Sequence, residues 1–343
     1  MKKFLAFFMS VMLIFVLAAC GGETSTEGGS SEGSGEKGNK ETITLKVGHT
    51  LSDTSHYQEG LKKFKELLEE KSNGQFQVEI FPNGALGGER EMIEGLQIGS
   101  VDLVLTSTGP MSGFVPEITV VDLPFLFRNA EHAHKVLDGE IGQNLFAKLE
   151  EAQGLKGLAW WENGFRNVTN NVRPIEKPED LKGLKIRTME NDIHMDSFKT
   201  MGADPTPMAF PELFPALQQG VVDGEENPVP VITSSRFYEV QKYLTMTRHF
   251  YNPSMLIISK SKFDSFPEDL QTALLEAAKE AGDYERQVVS KMDEEGIALL
   301  KEKGMEVIEE PNIEPFKEAV QPVYEKYSEQ FGQDLIDSII NTK

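Results

Sequence analysis

The sequence predicts an α/β fold: two α/β domains with a ligand cleft between them, and long helices toward the C-terminus. Three observations carry this. Short β-patterned runs alternate with amphipathic helical ones from Ile43 onward, the order that builds a parallel sheet with helices on its faces. About 300 residues follow the leader segment, too many for a single core. The stretch 267–303 then holds one long helical pattern, with Leu270, Leu274, Leu275 and Ala278 among its apolar positions.

The elements follow in order. Ile43, Leu45 and Val47 alternate as a strand. Leu61, Phe64, Leu67 and Leu68 fall at helical spacing and stop at Asn73-Gly74. Val78 and Ile80 mark a second strand, Glu89–Ile98 a helix, and 101–105 a buried strand by its continuous apolar run. Further strands are expected at 155–160, 184–189 and 255–258. Phe210, Leu213, Phe214 and Leu217 give a short helix with one apolar face, although Pro211 and Pro215 interrupt it. Gly220 ends that helix. Val221 and Val222 read as the start of a strand, and Asp223-Gly224 as a turn. A short strand at Val307-Ile308 and a helix over 316–331 complete the chain. In folds of this kind small ligands sit at the carboxyl ends of strands or between domains.

The N-terminus reads as a targeting segment. Lys2 and Lys3 precede an apolar run too short for a membrane span, which ends in Leu17-Ala18-Ala19-Cys20. Residues 1–19 are therefore expected to be a signal peptide. Cys20, the single cysteine of the chain, resembles the lipidated cysteine of bacterial lipoproteins. Two acyl chains there would anchor the protein stably to the extracytoplasmic face of the cell membrane. Residues 21–40 are rich in Gly, Ser and Glu and form a flexible tether, spanning about 25 Å as a coil. One cysteine excludes an internal disulfide and cysteine-pair metal sites. The formal charge is −21. Cleavage after residue 19 would remove Lys2 and Lys3 and carry it from −21 to −23. Such acidity excludes nucleic acid as a partner, because its binding requires Lys and Arg to neutralise phosphates.

No G-x-x-x-x-G-K, G-x-S-x-G or H-E-x-x-H motif is present, so no catalytic residue, metal or cofactor is indicated. His132 and His134 are two apart, a spacing that shares no helix face, and are read as solvated. His49 and His56 flank a polar loop after the first strand, where a histidine can meet ligand or solvent. Arg166 and Arg187 lie in apolar strand settings, and a buried arginine needs a partner. That partner is either a structural carboxylate or a ligand carboxylate gripped by the guanidinium fork.

The segment 205–228, PTPMAFPELFPALQQGVVDGEENP, resembles the signature of the TRAP-type (tripartite ATP-independent periplasmic) solute-binding proteins of the DctP family. These are extracytoplasmic receptors of sodium-driven organic-acid transporters. Lys182-Gly183-Leu184-Lys185-Ile186-Arg187 resembles the strand that bears the family's carboxylate-clamping arginine. Gly164-Phe165-Arg166-Asn167 resembles the site of its second arginine. Asn227 in Gly224-Glu225-Glu226-Asn227-Pro228 matches the ligand-binding asparagine, and Phe210 an aromatic lining the cleft. The resemblance runs from Leu45 to the end. It implies a periplasmic-binding-protein-like clamp that closes on a small organic acid, with TRAP permease subunits as partners and no bond made or broken. The expected domains are 41–163 plus 252–291, and 164–251 plus 292–343. The expected ligand contacts are Arg187, Arg166, Asn227, Phe210, Glu89, His49, Asn163 and Asn191.

The acid is indicated by what surrounds these positions. Family receptors for C4-dicarboxylates commonly carry Trp after the Glu-Asn-Pro motif, where Val229 and Pro230 stand here. Sialic-acid receptors carry an acidic residue where Ser107 stands. Glu89, in a loop that resembles the one reaching the ligand's far end, would accept hydroxyls and repel a second carboxylate. A sugar acid, uronate or aldonate, fits that reading. Alternatively Glu89 only complements a helix N-terminus, worth about 0.3–1 kcal/mol. Dicarboxylate or sialic acid within the same family, an extracellular enzyme acting on sugar acids, and a surface adhesin or sensor are the competing readings.

Overall fold

The computed structural model describes residues 42–343. The leader, Cys20 and the tether lie outside the described residues. The first part of the chain runs β1 (Ile43–Gly48), α1 (His56–Lys71), β2 (Phe76–Phe81), α2 (Glu89–Ile98), β3 (Leu103–Ser107), α3 (Ala130–Leu137) and α4 (Glu140–Gln153). There follow β4 (Leu155–Asn170), β5 (Lys185–Thr188), α5 (Asp192–Thr200), β6 (Asp204–Pro207), α6 (Phe210–Gln218), β7 (Gly224–Pro228), α7 (Val229–Ser234) and β8 (Tyr243–Ser259). The last part comprises α8 (Lys260–Asp264), α9 (Glu268–Glu302), β9 (Glu306–Ile308), α10 (Glu314–Ala319), α11 (Gln321–Phe331) and α12 (Gln333–Asn341).

All nine strands join one sheet, in the order β2-β1-β3-β8-β4-β7-β5-β6, with β9 against β8. Two parallel trios, β2-β1-β3 and β7-β5-β6, flank the antiparallel pair β4 and β8. The pair is long enough to serve both. Ser254 to Ile258 of β8 pair with β3, and Arg166 to Asn170 of β4 pair with β7. The chain therefore passes between the trios along two neighbouring strands. Between β4 and β8 the register shifts at Glu162/Gly164 and Arg166/Val168, and such bulges bend a strand and re-aim its side chains.

The core lies on the two faces of this sheet. Leu103, Leu105, Leu256, Ile258 and Trp161 face one layer, which holds α1 and the first half of α9. Val104, Met255, Ile257 and Trp160 face the other, with residues of α2, α4, α5 and α12. This period-two alternation sorts each strand's apolar residues between the layers. Close packing of α1 and α9 on β4 depends on Gly60 and Gly282. A Cβ on Gly60 would stand 2.6 Å from the Trp161 ring, and one on Gly282 would stand 2.7 Å from it.

The α/β class and the long C-terminal helix match the sequence reading, but several boundaries do not. The strands expected at 155–160 and 255–258 extend to 16 and 17 residues. Their polar continuations, such as Glu162-Asn163 and Asn252-Pro253, conceal strand character. The strand expected to begin at Val221 begins instead at Gly224, where a turn was expected, and Val221 is exposed. β7 reads GEENP and is buried throughout, so its polarity misleads. His132 is buried rather than solvated, with Nε2 bonded to the Ile339 carbonyl at 2.8 Å. His134 meets Glu162 at 2.8 Å.

Candidate functional site

Residues from both trios converge on one small cavity. β5 brings Arg187, which is 2 % exposed. Its Nε and Nη2 both donate to the Met208 carbonyl, at 2.9 and 2.6 Å. Nη1 has no hydrogen-bond partner among the described residues. The guanidinium also lies 5.9 Å from the centre of the Phe210 ring, at the start of α6. Burial, and then the charge of Arg166, pull the Arg187 pKa down to about 10. It remains a cation at neutral pH, with one nitrogen uncommitted.

Arg166 on β4 is held differently. Its Nε and Nη2 donate to the two Glu226 carboxylate oxygens, at 2.5 and 2.7 Å, and Nη1 donates to Asn252 Oδ1 at 3.1 Å. Burial alone would raise the Glu226 carboxyl. Arg166, and a bond from His249 at 3.2 Å, outweigh burial and hold it well below the usual carboxylate range. The neighbouring Glu225 is held in the opposite state. Burial raises its pKa to about 7, against bonds from Thr169 at 2.6 Å and from Asn227 Nδ2 at 2.5 Å. Glu225 thereby orients the Asn227 amide on the cavity wall.

Glu89, the first residue of α2, lines the same cavity. Its Oε1 accepts from the Ser107 backbone N at 2.7 Å, from Ser107 Oγ at 2.9 Å and from Thr106 Oγ1 at 3.0 Å. Those three bonds hold the carboxylate on the cavity wall. Asn163 lines the same space. Its Nδ2 donates to Asn252 at 2.8 Å, while its Oδ1 has no partner among the described residues. The Tyr57 hydroxyl on α1 is likewise buried without a partner there. Buried polar atoms are nearly always satisfied. With the buried Arg187 cation, these atoms make the cavity wall polar.

Six of the eight expected contacts meet here: Arg187, Arg166, Asn227, Phe210, Glu89 and Asn163. Two do not. His49 lies beneath the wall, fully buried, with Nε2 bonded to Gln58 at 2.9 Å. Burial pushes its pKa down to about 4. Asn191 caps α5, accepting from the Ile193 and His194 backbone N–H groups, and donates to Gly109 and Asp122. Its hydrogen-bonding capacity is spent on structure. The reading also missed Thr50, Leu51, Tyr57 and Met189 on the wall. The first two follow the carboxyl end of β1, the place where such sheets hold ligands. A larger open hollow lies elsewhere. Its buried cation, Arg286, is already paired with Asp138 at 2.6 and 2.9 Å.

A polar, arginine-bearing cavity enclosed between two strand trios defines a receptor for a small organic anion. Comparison with known proteins gives the family. The model of bacterial extracellular solute-binding protein family 7 (DctP) matches residues 47–330, and the chain belongs to that family. A solved TRAP periplasmic solute-binding protein from Polaromonas sp. JS666, bound to D-erythronate, is 50 % identical with a TM-score of 0.86. The alignment covers 88 % of this chain and 99 % of that one. The sugar acid binding protein DctPAm from Advenella mimigardefordensis strain DPN7T, in complex with galactonate, is 37 % identical with a TM-score of 0.85, covering 89 % and 98 %. The 2,3-diketo-L-gulonate-binding periplasmic protein YiaO of Escherichia coli K12 is 40 % identical over 300 residues, 86 % of this chain and 91 % of that protein. Among the described residues no helix is long and apolar enough to cross a membrane.

Proposed function

We propose that the cavity binds a polyhydroxy monocarboxylate, an aldonate or uronate, and that the protein delivers it unchanged to a sodium-coupled TRAP permease. The observation that carries this reading is the uncommitted Nη1 of buried Arg187, on a cavity wall that also holds the Glu89 carboxylate. Arg187 attracts a carboxylate. Glu89 accepts hydroxyl protons and repels a second negative charge. The relatives described above that carry D-erythronate, galactonate and diketogulonate support the same class of ligand.

The clamp would divide as 41–163 plus 252–291 and 164–251 plus 292–343. The bulge at Glu162/Gly164 lies at the proposed crossing. The Leu17-Ala18-Ala19-Cys20 segment supports signal cleavage and a lipid anchor at Cys20, placing the receptor on the outer face of the cell membrane. An extracytoplasmic receptor without an anchor is the coarser form of the same reading.

A thermal-shift screen of organic acids tests the ligand. An acid at 100 times its Kd should stabilise the protein by about 2.7 kcal/mol. Stabilisation by aldonates or uronates, with the acid recovered intact, is the expected result. Stabilisation by succinate alone would move the reading to a dicarboxylate receptor, and turnover of the bound acid would make the protein an enzyme.

A further inference from the structure

A second small recess adjoins the cavity. Glu89, Arg187, Phe210 and Met189 line both spaces and form the partition between them. Three of these are accounted for. Glu89 is fixed by Ser107 and Thr106, Arg187 by the Met208 carbonyl, and Phe210 lies beside the Arg187 guanidinium. Met189 is held by a weaker bond, to its sulfur. It follows β5, is 5 % exposed, and touches Ser107 Oγ through Sδ at 3.4 Å. Its thioether thus reaches from one strand trio to the other. Gly109 makes room for it: a Cβ there would stand 2.5 Å from the Met189 sulfur and 2.6 Å from its methyl carbon.

We propose that Met189 sets the length of acid that the cavity accepts. Its thioether bars the way from the cavity into the recess, so a short hydroxy acid is held whole and a longer one must push the side chain aside. This rests on the reading of the cavity as a site for polyhydroxy monocarboxylates. Methionine suits the role, being unbranched and soft enough to fill an irregular gap without directing a hydrogen bond.

The test is calorimetric titration of the purified full chain with D-erythronate, four carbons long, and D-galactonate, six carbons long. Wild type should favour D-erythronate. Met189→Ala should move the ratio of the two dissociation constants toward D-galactonate by about tenfold or more, the scale on which a pocket discriminates by bulk. Met189→Leu, which keeps the volume, should leave that ratio within about twofold. Gly109→Ala should press the thioether toward the cavity and move the ratio the other way, toward D-erythronate. An unchanged ratio in Met189→Ala, with both acids still bound, overturns the proposal. If Met189→Ala binds neither acid, Gly109→Ala decides, and the absence of its shift overturns the proposal equally. Wild type that binds neither acid overturns the sugar-acid reading and this inference with it.

Discussion

Glu226 holds the Arg166 guanidinium with both carboxylate oxygens, at 2.5 and 2.7 Å, and both side chains are fully buried. The two residues lie on strands that pair with each other, β4 and β7. Arg166 therefore comes to the cavity with its charge already balanced, whereas Arg187 does not. The two arginines are alike in sequence setting and different in partners: Arg166 is paired with a carboxylate, and Arg187 is held by a backbone carbonyl.

The first prediction follows from the buried pair. Glu226→Gln leaves the Arg166 charge without a carboxylate in a site closed to water. Removing one partner of a buried ion pair costs about 3–5 kcal/mol. Chemical denaturation should show a stability loss of that size. A double replacement of Arg166 and Glu226 by apolar residues of similar volume should lose less than Glu226→Gln alone. Equal stability of wild type and Glu226→Gln would show that the pair is not sealed from water.

Arg187→Lys keeps the charge and loses the fork. The Met208 carbonyl now holds Nε and Nη2, and Nη1 has no partner among the described residues. A lysine cannot both satisfy that carbonyl and present a fixed donor. Hydrogen bonds to charged groups contribute about 1.5–3 kcal/mol. Affinity for the stabilising acid should thus fall at least about tenfold, while the melting temperature of the ligand-free protein moves little. Wild-type affinity in this variant would remove Arg187 from the carboxylate contact.

Glu225 predicts a pH dependence. Its folded pKa is raised to about 7, from an ordinary 4.5, chiefly by burial. Between those values the native state binds a proton that the unfolded chain has lost. This contribution to stability is fully present below about 4.5 and is lost as pH rises through 7. Glu225→Gln imitates the protonated form at every pH. Its melting temperature should therefore gain on wild type as pH is raised from 4.5 to 8. A constant difference across that range would mean that Glu225 does not titrate there.

Much of the fold was legible because it rests on apolar periodicity. β1, β2, α1 and α2 show it plainly, since each has one face on the core. β7 was not legible as a strand, because its Glu225, Glu226 and Asn227 satisfy one another and their neighbours instead of burying hydrocarbon. The same reason hid the role of Glu226. Two adjacent glutamates in a chain with 55 acidic residues carry no pattern, and only the pairing of β4 with β7 brings one of them to Arg166. Asn191 and His49 do not line the cavity, for a related reason. They lie two and one residues from the wall residues Met189 and Thr50, and their bonds, to the α5 N-terminus and to Gln58, depend on local geometry that residue type does not disclose.

Association kinetics provide the last test, because here net charge and local charge oppose each other. The chain carries a formal charge of −21, so an organic anion approaches against the overall field. Fields of this kind are screened beyond about 8 Å at physiological ionic strength. Attraction comes only from donors inside the cavity, above all Arg187, too deep to steer a ligand from solution. Raising salt from low to moderate concentration should therefore leave the association rate constant unchanged or slightly higher. A steep fall with salt, the signature of favourable steering, would mean that a cationic rim guides the acid. Since the uncommitted Arg187 guanidinium is 2 % exposed, stopped-flow measurements with a stabilising acid should find no such fall.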